Sequence, residues 1–201
     1  MKHLSGLKKK AQYYWMYYKW TAAVIFLSAA VILYFAVTVR AGREEDKYTV
    51  YVVNQYMDSG QKEQIAQEMA DVIGMDAAEI LIDDSVQFYP ENLNSSAVSG
   101  GAEKITTEYF AHGLDLLVAP AEVAGYYCGL GGLTELSGME YDEDTETLQG
   151  QDRDGKTITC GLSLENNSVW QISDEETYYL CVMNGSGHEK ESKELIRYYF
   201  Q

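Results

Sequence analysis

The chain has 201 residues with 15 basic and 31 acidic side chains, a formal charge of −16. The imbalance is uneven: residues 1–43 carry seven basic side chains and no acidic one, leaving 8 basic against 31 acidic residues in 44–201. So acidic a surface repels phosphate backbones, whose binding relies on Lys and Arg displacing counterions, and this excludes nucleic acid as its partner.

Residues 1–20 are basic and aromatic, with Lys2, Lys8, Lys9, Lys10 and Lys19 beside Tyr13, Tyr14, Trp15, Tyr17, Tyr18 and Trp20. Residues 21–39 form 19 consecutive positions without a charge. As a helix they would rise about 28 Å, close to the ~30 Å hydrocarbon core, and a helix satisfies its own backbone in lipid. Arg40 and Arg43 follow, with Glu44, Glu45 and Asp46. The basic excess before the span places that end in the cytoplasm. The rival reading is a cleaved signal peptide, with Val39, Arg40 and Ala41 near a cleavage position. Its apolar core would exceed the roughly 7–15 residues of such peptides. The expectation is a single-pass protein of the cell membrane. Residues 1–20 are cytoplasmic, 21–39 cross the bilayer, 40–47 are a tether, and 48–201 form one extracytoplasmic domain.

Within that domain, β-branched and aromatic residues 48–53 predict a buried strand. Asp58 and Gln61 form a capping box for a helix whose stripe is Ile65, Met69, Val72 and Ile73, and Gly74 suits its end. Residues 78–82 predict a second strand. Residues 83–101, polar and holding Pro90, Gly100 and Gly101, read as a surface loop. A helix over 103–112 closes at Gly113, and 114–119 make a third strand. Pro120 then opens the helix 121–128 at the first-turn position proline tolerates best. Residues 140–146 are acidic and exposed. Asp152 to Gly155 is a hairpin turn between strands 145–149 and 156–162. A last strand covers 177–183, Asn184 to Gly187 form a turn, and an amphipathic helix starts at His188. That helix pairs Glu189 with Lys193 and Lys190 with Glu194 outside, with Leu195, Ile196 and Tyr199 inside. Alternating strands and helices predict a three-layer α/β domain with a mostly parallel sheet.

Three cysteines, Cys128, Cys160 and Cys181, cannot all be paired. Cys160 and Cys181 lie in predicted strands. They fit buried free thiols, and a Cys160–Cys181 bridge is the alternative outside the cytoplasm. Around Asp152, Asp154 and Gly155 a calcium loop fails, because Gly150 and Gly161 stand where its first and last carboxylates belong. His3, His112 and His188 have no paired zinc spacing, and no nucleophile elbow occurs. Neither a metal nor a cofactor nor an enzymatic reaction is expected.

The run from Glu103 to Pro120, then Gly131 to Leu136, resembles the helix, "G-x-D-hydrophobic" strand and "G-x-L-x-x-L" of bacterial extracellular solute-binding proteins, the class II periplasmic-binding fold. Residues 154–163 resemble that family's hinge entry, with Leu162 in place of its usual proline, and 178–200 its closing strand, turn and helix. The likeness departs between hinge and closing strand, where about a dozen residues replace a whole second lobe. It implies a single lobe behind a membrane anchor, acting as a binding or accessory subunit for a membrane or envelope partner. The alternative it implies is a receptor for a small polar or cationic solute feeding a transporter. Open α/β sheets hold ligands beyond their carboxyl strand ends. That places candidate ligand contacts at Asn54, Gln55, Ser85, Pro120, Glu122, Asn184 and Ser186.

Overall fold

A computed structural model describes residues 24–31, 33–34, 47–92, 96–165, 167–172 and 176–201. The chain divides into two units, Met1–Glu44 and Glu45–Gln201. In the first, 24–31 and 33–34 are helical. The rest of the expected span 21–39, the segment 1–20 and the tether residues 40–46 lie outside the described residues. Among the described residues no helix is long and apolar enough to cross a membrane.

The second unit is an α/β domain with β1 (Tyr48–Val53), α1 (Ser59–Ile73), β2 (Ile80–Val86), α2 (Ser96–Phe110), β3 (Leu116–Pro120) and α3 (Ala121–Gly129) in its first half. The second half holds β4 (Thr147–Gln151), β5 (Thr157–Ser163), β6 (Tyr178–Val182) and α4 (Glu189–Tyr199). One six-stranded sheet runs β2-β1-β3-β6-β5-β4. β1 pairs in parallel with β2 and β3, whereas β3–β6, β6–β5 and β5–β4 are antiparallel. The sheet is therefore mixed, and the expectation of a mostly parallel one is corrected. Parallel strands require long crossovers, which α1 and α2 supply; the tight turn at Asp152–Gly155 can join only antiparallel neighbours.

Side chains alternate across the sheet. Tyr48, Val50 and Val52, with Leu116, Val118, Leu180 and Val182, face a core closed by α1 and α4. Tyr51, Val53, Leu117, Ala119 and Cys181 face the opposite core, which includes Ile105 of α2 and Val123, Ala124 and Tyr127 of α3. This is the three-layer arrangement, each layer burying one apolar face. In β5 the alternation slips: Ile158 and Cys160 face the second core, Leu162 the first. The register shifts opposite Leu148 and Gln149, and such a bulge puts two residues of one strand against one of its partner.

Local signals explain the element ends. Asp58 accepts from the Gly60 and Gln61 amides, Gln61 returns a bond to the Asp58 amide, and Gly74 ends α1 in the left-handed region. Ile65 and Met69 are buried at 1% and 0% exposure, each worth roughly 1.5–3 kcal/mol of burial. The expected loop 83–101 is corrected. β2 continues to Val86, Pro90–Asn92 form a 3-10 turn, and α2 begins at Ser96 and passes through both glycines. A Cβ on Gly101 would collide with the Gln87 backbone, whereas one on Gly100 would meet nothing. Gly101 thus serves close packing of α2 on the chain just after β2 rather than a break. Pro120 is also corrected: it ends β3 and caps α3 with extended backbone, one position before the helix.

Candidate ligand crevice at the carboxyl end of the parallel strands

β1 feeds α1 on one face of the sheet and β3 feeds α3 on the other, so the chain diverges between their carboxyl ends. Such a switch point is where open α/β sheets form crevices. β6 runs antiparallel and brings its first residue to the same edge, Tyr178 pairing with Pro120. Along this edge lies a cavity of about 790 Å³ lined by Gln55, Gln61, Glu165, Trp170, Gln171 and Glu176, among others.

Gln55 projects from the loop after β1, its amide donating to the Tyr56 carbonyl at 3.3 Å. Gln61 belongs to the α1 capping box, which fixes the helix end at the crevice wall. Opposite them, the segment after β5 is held by Asn167. Its Oδ1 accepts from the Val169 and Trp170 amides at 3.0 and 3.2 Å, and its Nδ2 donates to the Tyr199 carbonyl at 3.2 Å. Trp170 is thereby buried, 1% exposed, edge-on to Tyr199 with centroids 6.1 Å apart. The crevice thus has a buried aromatic wall, side-chain amides and two exposed carboxylates, Glu165 and Glu176. Glu165 and Asn167 also line a neighbouring cleft of about 480 Å³ that adds Asp142, Asp144 and Glu146. The carboxylates make this region attractive to cations.

The other sequence-predicted contacts have different duties. Asn54, with φ of 61°, donates to the Phe88 carbonyl and accepts from the Phe88 amide, both at 2.7 Å. Its side chain is spent clamping the chain after β2. Ser85 accepts from Lys104 at 3.1 Å, beside the Lys104–Asp83 ion pair on the edge strand. Burial alone would raise the Asp83 carboxyl, but Lys104 and Ser85 outweigh it and hold the group below its ordinary range. Pro120 offers the pairing just described, and Glu122 stands exposed in the first turn of α3. Only Gln55 of these five lines the crevice.

Asn184 and Ser186 sit at the opposite end of the sheet, because β6 is antiparallel to β3; their placement with the other five is corrected. Asn184 binds the Gly131 and Gly132 carbonyls through its side chain and amide at 3.2 and 2.8 Å. Nearby lies a cluster that reading the sequence missed. Asp115, 1% exposed, accepts from the Thr49 amide at 2.8 Å and faces His188 Nδ1 at 3.1 Å. Ser186 also hydrogen-bonds this carboxylate and accepts the His188 backbone amide at 3.3 Å. Burial pushes the Asp115 carboxyl up, against the pull of Thr49, His188 and Ser186. Serine and imidazole both turn to the carboxylate. That geometry ties the loop between β6 and α4 to Asp115. The available signal was a carboxylate between Leu114 and Leu116, which an apolar strand buries only with partners. Among the described residues no three His, Cys, Asp or Glu side chains are grouped to hold a metal ion.

No protein-family model matches this chain, and no curated protein or solved structure is measurably similar to it.

Proposed function

We propose that this chain is a membrane-tethered, non-enzymatic binding module. Its crevice holds a basic, polar segment of a membrane or envelope partner, as an accessory or assembly subunit would. The supporting observation is the crevice itself, with amides from Gln55, Gln61 and Gln171 beside the carboxylates of Glu165 and Glu176. Side-chain amides can pair with both donors and acceptors of an extended backbone, and the carboxylates favour Lys or Arg. Deep small-molecule sites bury roughly 70–90% of their ligand. A single lobe covers one side, so a segment anchored elsewhere on a larger partner suits it better than a free solute. The uncharged run 21–39 is the proposed tether, with residues 1–20 in the cytoplasm and 48–201 outside. The resemblance of residues 103–120, 131–136, 154–163 and 178–200 to solute-binding proteins implies the same single-lobe arrangement.

Photo-crosslinking in intact membranes tests it. A photoreactive residue at Gln55 or Gln171 is expected to give one discrete protein adduct, absent when the probe replaces Leu81, which is 47% exposed on the far edge strand. Equal labelling from all three positions, or none from the crevice, overturns the proposal. The second reading, a receptor for a small cationic solute, draws on Glu165 and Glu176. It predicts about 2.7 kcal/mol of added stability at 100 times the dissociation constant. Thermal-shift screening of the full chain with amino acids and amines measures that, and no shift excludes it.

A further inference from the structure

Three thiols meet in the core beneath α3: Cys128 from that helix, Cys160 from β5 and Cys181 from β6, none of them exposed. The edge strand β4 leaves room for two of them. A Cβ built on Gly150 would lie 2.6 Å from the Cys128 sulfur and 3.1 Å from the Cys160 sulfur, so the two sulfurs are closer than the sum of those distances. The Cys160 thiol turns toward that same edge strand, its sulfur 3.6 Å from the Leu148 carbonyl. Cys181 enters from the neighbouring strand, its sulfur 3.0 Å from a Cβ built on Gly161 and its thiol turned to the Tyr179 carbonyl at 3.9 Å. Cys160 sits at the bulge of β5, which turns it to the same face as Cys128.

We propose that Cys128 and Cys160 are a disulfide site that fastens α3 to β5, with Cys181 left as a free thiol. The pairing differs from the Cys160–Cys181 bridge that the strand pattern offers. In the reaction the two thiols give up two protons and two electrons and one S–S bond forms. The acceptor is a disulfide-bearing oxidant, protein or small molecule, whose own S–S bond is reduced to two thiols. Burial raises both thiols, Cys160 to about 12, so thiolate attack waits on local opening around α3 and β4. The bond would close the chain from Cys128 to Cys160, restricting the unfolded state. This inference is independent of the crevice and of the tether.

The test uses the purified full chain in detergent, incubated with oxidised glutathione, then unfolded, alkylated and mapped by mass spectrometry. The expected product has lost two hydrogens, joins the Cys128 and Cys160 peptides, and carries one alkyl group, on Cys181. Its thermal midpoint should rise by roughly 5–10 °C over the reduced protein. C181S should keep the cross-link and the rise, and C128S should lose both. A cross-link involving Cys181, glutathione adducts without a cross-link, or three alkylated cysteines would overturn the proposal. The wild-type map decides this even where C128S fails to fold.

Discussion

Asp115 shows how one buried carboxylate organises the amino end of the central strands. It takes the Thr49 amide of β1, directly precedes β3, and holds the imidazole that precedes α4. Tyr48 adds a second tie, its hydroxyl 2.7 Å from Ser192 Oγ. Because the folded carboxyl is raised above its ordinary 3.8, the native state binds that proton more tightly than the unfolded chain. The associated stability is complete below 3.8 and is lost as pH rises through the elevated value. D115N carries no titrating proton. The unfolding free energy of the wild type minus that of D115N should therefore be larger at about pH 4 than at about pH 7, a tenfold change in proton affinity corresponding to about 1.4 kcal/mol. Urea titrations at both pH values measure this, and a difference that grows with pH contradicts it.

At the level of elements, α2 and its two glycines separate local from tertiary causes. G100A meets empty space and gains helix propensity, so stability should rise by about 0.8–1 kcal/mol. G101A drives a methyl into the Gln87 backbone and should lose about 1–3 kcal/mol by overpacking. Chemical denaturation of both variants checks the contrast, and equal effects would refute it. The same pair explains what could be read from the residues alone. The α1 caps were legible because each acts locally: Asp58 and Gln61 are three positions apart at one end, and Gly74 directly follows the last helical residue at the other. Strand content was legible from the short continuous runs of apolar, aromatic and β-branched residues in β1, β3 and β6. The direction of β6 was not, because it depends on which neighbour the strand finds after the segment 164–177. That direction separated Asn184 and Ser186 from Gln55. Gly101 misled because its partner is a backbone brought in by folding, and the Asp115–His188 contact spans 73 positions, beyond any local pattern.

Across the whole molecule, charge governs encounter. Residues 44–201 hold nearly four acidic groups for each basic one, and several of the basic groups are already paired: Lys62 with Asp84, Lys104 with Asp83, Lys156 with Glu135, Arg197 with Glu140. The unpaired excess includes Glu165 at the boundary of the crevice and the neighbouring cleft. A basic partner would be steered toward such a surface, and steering weakens once the Debye length falls below the distance over which it acts, from about 10 Å at 0.1 M salt to about 3 Å at 1 M. Complex formation by the full chain, followed by the Gln55 photo-adduct, should fall steeply between those salt concentrations. The double variant E165Q/E176Q should form less adduct at low salt and lose much of that salt dependence, since it removes the charges nearest the bound segment while keeping their shape. If adduct yield is indifferent to salt, or if the double variant behaves as the wild type does, contact at the crevice is apolar in origin and the cationic character assigned to the partner is wrong.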